Sequence, residues 1–166
     1  YLNSHDAREN YGWVTTDIAA GTCLLLSPGG VQIYYGDEVV RPLAGDMNYD
    51  KNQCTRSDYQ WSAQNTTVLA HWNKLGTFRK NHIAVGAGSQ TDLGNSTYGR
   101  VYNQNSITDK VVIKINASGS TSVNVSGIFS SGALVRNAYD GTTATVSGSY
   151  VTFTATNGVI LIEQAQ

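Results

Sequence analysis

The side chains able to do chemistry lie mostly in the first part of the chain. His5 and Asp6 are adjacent, and so are Asp37 and Glu38. Neighbouring carboxylates of the second kind have the look of catalytic groups. A His–Asp pair in a loop is more often a solvated turn, so the first pair says little on its own. Arg56 could reach a substrate or simply pair with a carboxylate. His71 and His82 have no partners at metal-ligand spacing and read as structural. Cys23 and Cys54 form no C-x-x-C pair, which argues against a metal knuckle or a thioredoxin motif. A disulfide between them and two separate thiols are both open.

The 166 residues amount to about one domain or one and a fraction, enough to bury a sizeable core. Net charge is −1, and 14% of residues are charged against roughly 25% in an average domain. Ser, Thr, Asn and Gly supply the polarity instead. Such a surface offers no electrostatic footprint for nucleic acid and no basic amphipathic segment for a membrane. No stretch approaches the roughly 18 apolar residues of a membrane-spanning helix. A hydroxyl- and amide-rich surface is common in secreted carbohydrate-active β proteins. Tyr1-Leu2-Asn3-Ser4-His5-Asp6 is not a signal peptide and reads as an internal cut in a longer protein.

Elements must position these groups, and composition divides them near residue 82. All three Trp, both Cys, both Pro and the Met precede it. Residues 16–26 are helical in composition, with Thr16 or Asp17 as cap and Pro28-Gly29-Gly30 as stop. Val31 to Tyr35 is a run of β-formers ended by Gly36 and predicts a buried strand. Residues 37–63 lack a period and predict a long loop. Asn65-Thr66-Thr67 then caps a helix over 68–80, with Val68, Leu69, Trp72, Leu75 and Phe78 on one face. Alternating helix and strand argues for α/β units with a parallel sheet. Beyond residue 82, short strands are expected at 83–85, 101–104, 110–116, 121–125, 133–137, 143–146, 150–155 and 158–163. Turn signals such as Ser131-Gly132, Asp140-Gly141 and Asn157-Gly158 separate them, which suggests an antiparallel sandwich.

Two motifs then carry a resemblance. Tyr1-Leu2-Asn3-Ser4-His5-Asp6 resembles the alpha-amylase family segment F-x-x-N-H-D at the end of the seventh barrel strand. Pro28-Gly29-Gly30-Val31-Gln32-Ile33-Tyr34-Tyr35-Gly36-Asp37-Glu38 resembles the family's P-G-x-P-x-I-Y-Y-G-D-E on the eighth. One helix lies between them, the connection a (β/α)₈ barrel needs. Arg56-Ser57-Asp58-Tyr59-Gln60-Trp61 is similar to the R-x-x-M-x-W loop that follows. Residues 75–86 resemble the last barrel helix entering the C-terminal domain, and 135–153 resemble that sandwich loosely. Ser4, Val31, Tyr59 and Ile83 depart from the family's usual Asn, Pro, Met and Pro. None of these changes removes a charged catalytic group.

The resemblance implies a fold that is α/β plus all-β. Residues 1–81 would be the last strands and helices of a (β/α)₈ catalytic barrel, and 82–166 an antiparallel β-sandwich. It implies a retaining glycoside hydrolase acting on α-1,4-glucans such as starch or maltooligosaccharides. Asp6 would stabilise the transition state, His5 would bind the same sugar, and Arg56 is a weaker substrate-binding candidate. Asp37 and Glu38 are more often structural in this family. Trp13 and Trp61 could stack on glucose rings, with packing the commoner role. The nucleophile Asp and acid/base Glu belong to barrel strands four and five, and no segment here resembles those. The chain alone is therefore expected to be inactive. Calcium, plausible in the complete enzyme, would have its ligands upstream, and no calcium loop is visible here. Two strands and two helices cannot close a barrel, so the first 80 residues are expected to pack against a companion: the missing N-terminal barrel portion, in the same protein or as a separate fragment, or another copy of the chain. Other readings are a non-catalytic carbohydrate-binding or structural sandwich module, and a catalytically dead relative.

Overall fold

The computed structural model describes residues 1–5, 17–41 and 56–165. The chain forms two compact units. One comprises Tyr1–Leu25 and Gly30–Lys74, the other Leu26–Gly29 and Leu75–Gln166. The described structure is mostly antiparallel sheet with few helices.

Two helices supply most of the regular structure near the first unit. Helix α1 spans Asp17–Leu26, and α2 spans Thr66–Asn81. Asn65 caps α2 as its sequence predicts, its Oδ1 accepting from the Val68 N–H at 3.1 Å. Val68, Trp72, Leu75 and Phe78 are all buried along the expected face. Gly21 of α1 lies under Trp72, and a Cβ there would sit 2.4 Å from the indole nitrogen. Beside this close approach, Thr22 Oγ1 lies 2.9 Å from Nε2 of buried His71. Burial lowers the basicity of His71 and favours the neutral ring. His71 is thus the structural histidine that its sequence context suggests.

Val31 to Tyr35 departs from expectation. It joins no sheet, and Ile33 and Tyr35 are 46% and 42% exposed. The run has the composition of a buried strand, but a strand exists only beside a ladder partner, and none of the described residues supplies one. A short 3₁₀ turn at Asp37–Val39 follows it directly.

The second unit is built on two antiparallel sheets. Its strands are β1 Ser89–Gly94, β2 Thr97–Gln104, β3 Ile107–Lys114, β4 Ser120–Asn124, β5 Leu134–Asn137, β6 Thr143–Thr145, β7 Tyr150–Thr154 and β8 Ile160–Gln164. One six-stranded sheet runs in the order β1-β2-β3-β8-β5-β6, and β4 pairs with β7 in the other. Val112, Ile160 and Ile162 from the large sheet share a core with Val123, Val151 and Phe153 from the small one. Alternation along β3 and β8 turns Val111, Ile113 and Leu161 to the opposite face, where they are also buried. Asn95–Ser96 and Asn105–Ser106 join consecutive strands as two-residue turns with positive φ throughout, the geometry that matches strand twist. At the flanks of the large sheet, β1 carries a bulge between Asp92 and Gly94, and β6 is three residues long.

Two assignments need correction here. Residues 83–85, expected as a strand, begin helix α3, Ile83–Ala87. A short apolar run does not distinguish strand from helix by period, and here a tertiary contact decides. The Asp109 carboxylate accepts the Ala84 N–H at 2.9 Å, satisfying a donor of the first turn. Strand β1 is absent from the sequence reading because Ser89-Gln90-Thr91-Asp92 is polar. Its strand character comes from pairing with β2.

Leu26 and Ser27, which belong to the second unit, accept hydrogen bonds from arginines of that unit. Arg100 Nη2 donates to Leu26 O at 3.2 Å, and Arg79 Nη1 to Ser27 O at 2.8 Å. Cations at the last carbonyls of a helix also suit its dipole.

Candidate functional site

In the first unit, three segments singled out from the sequence meet. Asn3, buried at the start of the chain, donates from Nδ2 to Asp37 Oδ1 at 2.5 Å, across 34 residues. This bond joins the first motif to the second. Arg41 joins the second to the third. Its Nε donates to Tyr35 O at 3.0 Å and its Nη1 to Ser57 O at 2.9 Å, with a further contact to Ser57 Oγ. The guanidinium lies 4.2 Å from the centroid of the Tyr35 ring. The Tyr35 hydroxyl also donates to Ser57 O, at 2.9 Å. Glu38 accepts the Gly36 N–H at 3.0 Å, and the Tyr59 hydroxyl accepts from Gln64 Nε2 at 3.2 Å.

The turn that presents Asp37 depends on Gly36. Its φ is 89°, and a Cβ there would sit 2.5 Å from Arg41 Cβ. Gly36→Ala therefore combines left-handed strain with a clash against a buried side chain. A loss of about 1–3 kcal/mol is expected, read as a lower urea midpoint. A change within about 0.5 kcal/mol would mean that the turn relaxes freely.

Asp37 is 8% exposed, and its Oδ2 is buried without a hydrogen-bond partner. Burial pushes its pKa up to about 6, against the opposing effect of the Asn3 hydrogen bond. Both acidic residues of the second motif are thus engaged inside the fold.

Asp6 lies outside the described residues, as do Trp13 and Cys54. His5 is exposed at a turn, and Arg56 is exposed directly before Ser57. Trp61 is 80% exposed and meets Tyr59 in a tilted contact with centroids 4.5 Å apart. Cys23 is an exposed free thiol. Among the described residues, no group of three or more His, Cys, Asp and Glu is placed to hold a metal ion.

A second polar cluster, in the other unit, has no signal in residue spacing. His82 Nδ1 lies 2.8 Å from Asp109 Oδ1, and its Nε2 lies 2.6 Å from Glu163 Oε2. Arg136 Nε donates to the other Glu163 oxygen at 2.6 Å. With carboxylates at both ring nitrogens, donation from both requires the imidazolium. The cluster lines an open cavity of about 610 Å³ with Asn81, Lys110 and Gln164. It ties the α2–α3 junction to β3, β5 and β8. Sequence reasoning missed Asn3, Arg41 and Ser57 as linking residues too, although each stands inside or beside a quoted motif.

The fold has solved counterparts. The alpha-amylase of Geobacillus thermoleovorans complexed with acarbose superposes with a TM-score of 0.65 at 17% identity, over 95% of this chain and 34% of that one. The debranching enzyme of Nostoc punctiforme gives 0.60 at 19% identity, over 90% and 31%. At that identity these likenesses concern the fold. No family model matches the chain. The periplasmic alpha-amylase of Escherichia coli (strain K12) is 46% identical over 96 residues, which is 56% of this chain and 14% of that protein. The chain matches a carboxy-terminal fragment of an alpha-amylase family protein. It spans only a small part of that curated relative's length.

Proposed function

We propose that this chain is the closing portion of an alpha-amylase-type retaining glycoside hydrolase. In this reading 1–81 complete a (β/α)₈ catalytic barrel and 82–166 form the C-terminal β-sandwich. The substrate is an α-1,4-glucan such as starch or a maltooligosaccharide. The observation that carries the reading is the Asn3–Asp37 hydrogen bond, which joins Asn3 of the first motif to the Tyr-Tyr-Gly-Asp-Glu turn of the second. Both groups would then stand at one end of neighbouring barrel strands, where barrel active sites lie.

In such a site Asp6 holds sugar hydroxyls most strongly as the ring flattens toward its oxocarbenium-like transition state. His5 donates to the same sugar, and Arg56 lies at the border of the cleft. The nucleophile and the acid/base, about 5–5.5 Å apart in a retaining enzyme, come from the missing N-terminal barrel portion. The exposed, ladderless Val31–Tyr35 run is the edge that this portion covers. Any calcium is held there as well. The periplasmic relative supports an exported protein. No helix among the described residues is long and apolar enough to cross a membrane.

A second reading, a non-catalytic carbohydrate-binding or structural sandwich, is favoured by the continuous core of the second unit. A reducing-sugar assay on soluble starch separates the two. The 166-residue chain alone is expected to release no reducing ends, and the longer protein containing it to release them readily. Hydrolysis by the isolated chain would overturn the division of catalytic residues. Starch binding without hydrolysis by the longer protein would favour the second reading.

A further inference from the structure

We propose that the cavity lined by Asn81, Lys110, Arg136 and Glu163 is a binding site for neutral sugar units of an α-glucan. The proposal rests on the α-glucan named above as ligand and adds a place on the sandwich that holds the same polymer.

The site has room and a fixed frame. Its volume of about 610 Å³ falls within the roughly 300–1,000 Å³ usual for small-molecule sites. Its lining belongs wholly to the second unit and comes from the α2–α3 junction and from β3, β5 and β8. His82 holds Asp109 through one ring nitrogen and Glu163 through the other, and Arg136 holds the second Glu163 oxygen. These side chains are set before a ligand arrives, which lowers the cost of ordering them on binding.

The charges select the ligand. Asp109 and Glu163 oppose an anion, while Lys110 and Arg136 oppose a cation. A neutral molecule meets neither objection. Hydrogen-bonding capacity is also left over on both sides. Among the described residues, Asn81 and Lys110 make no side-chain hydrogen bond. Gln164 donates from Nε2 to Leu134 O at 2.7 Å and keeps its own amide oxygen as an acceptor. Arg136 is half exposed and has donors beyond the two that Glu163 accepts. Donors and acceptors thus surround one space. A sugar hydroxyl both donates and accepts, so a polyol uses both sets at once.

Internal ion pairing does not account for the whole lining. Asn81 and Lys110 are exposed and take no part in the His82 cluster. The Lys110 ammonium lies 5.1 Å from the centroid of the Phe129 ring, a contact that steadies it beside the cavity without using its N–H donors. The lining contains no Phe, Tyr or Trp, so sugar rings find no stacking platform there. Hydrogen bonds alone then carry the affinity, which places Kd at about 1–10 mM.

The test titrates the 166-residue chain with maltotriose and follows its backbone amide resonances. Saturable shifts are expected at Asn81, Lys110 and Gln164. Lys110→Ala and Asn81→Ala should each weaken binding about fivefold, the weight of one ordinary hydrogen bond. Both substitutions leave the His82–Glu163 cluster in place, and unchanged spectra of the free variants verify the fold. Sodium acetate and sodium phosphate should give no saturable shift at these residues. In the longer protein, the double variant should adsorb to granular starch severalfold less, with kcat on maltotriose held within about twofold. A chain that does not respond to maltotriose, a response that both substitutions leave unchanged, or saturable binding of acetate or phosphate instead would each overturn the proposal. If any of these occurs while the longer protein hydrolyses starch, the site is wrong and the glycosidase reading stands. If maltotriose binds as expected while the longer protein hydrolyses nothing, the glycosidase reading falls and the sugar site remains.

Discussion

In the longer protein containing this chain, on the proposed glycosidase reading, Asp6→Asn is expected to lower kcat on maltooligosaccharides by about a thousandfold with no change in fold. The oxocarbenium-like transition state gathers positive charge at the ring, and a carboxylate bonded to its hydroxyls binds that state better than the ground state. Such bonds supply several kcal/mol in glycoside hydrolysis, and each 1.36 kcal/mol is about a factor of ten in rate. Asparagine preserves shape and one acceptor oxygen, but it loses the charge and turns the other oxygen into a donor. KM should move far less than kcat, because an interaction that strengthens only in the transition state contributes little to ground-state binding. Steady-state kinetics on maltoheptaose, with melting curves alongside, test this. An unchanged kcat in a folded variant would remove Asp6 from the catalytic machinery.

Glu163→Ala should destabilise the second unit by about 3 kcal/mol. The carboxylate serves His82 through one oxygen and Arg136 through the other, and its side chain is 9% exposed. Removing one partner from a buried charge network leaves the others uncompensated, typically at about 3–5 kcal/mol. Arg136 is half exposed and recovers water, which places the expectation at the lower end. His82, at 14%, does not recover it as readily. Glu163→Gln keeps an acceptor for one partner and should cost roughly half as much. Urea unfolding of the whole chain measures both. Losses within about 0.5 kcal/mol would show that the cluster carries no more than an ordinary surface group.

What the sequence discloses depends on how local each determinant is. Helix α2 is legible because its cap and apolar face lie within a few residues of one another, and α1 because of its composition and the Pro28-Gly29-Gly30 stop. The hairpin region is legible because β-formers alternate between recognisable turn pairs. Val31–Tyr35 reads as a strand because its residues suit one, yet pairing is a property of neighbours that the run does not contain. Ile83–Val85 is misread for a related reason: Asp109, 25 residues from Ala84, supplies the hydrogen bond that favours a helical turn. Strand β1 is missed because polar residues paired at an edge leave no apolar period. In the candidate site, the motifs mark Asp6, His5 and Arg56 as residue types but say nothing of what fixes them. The Asn3–Asp37 and Arg41–Ser57 bonds that join these motifs cross 34 and 16 residues, and no spacing rule predicts them.

The flanks of the six-stranded sheet bear on the behaviour of the chain at high concentration. The bulge between Asp92 and Gly94 breaks the ladder on one side, and the brevity of β6 leaves little to copy on the other. A second molecule arriving edge-on finds no long, flat row of open amide groups to extend. Fibril growth by strand addition is therefore denied a template at both margins, even in a domain so rich in β-structure.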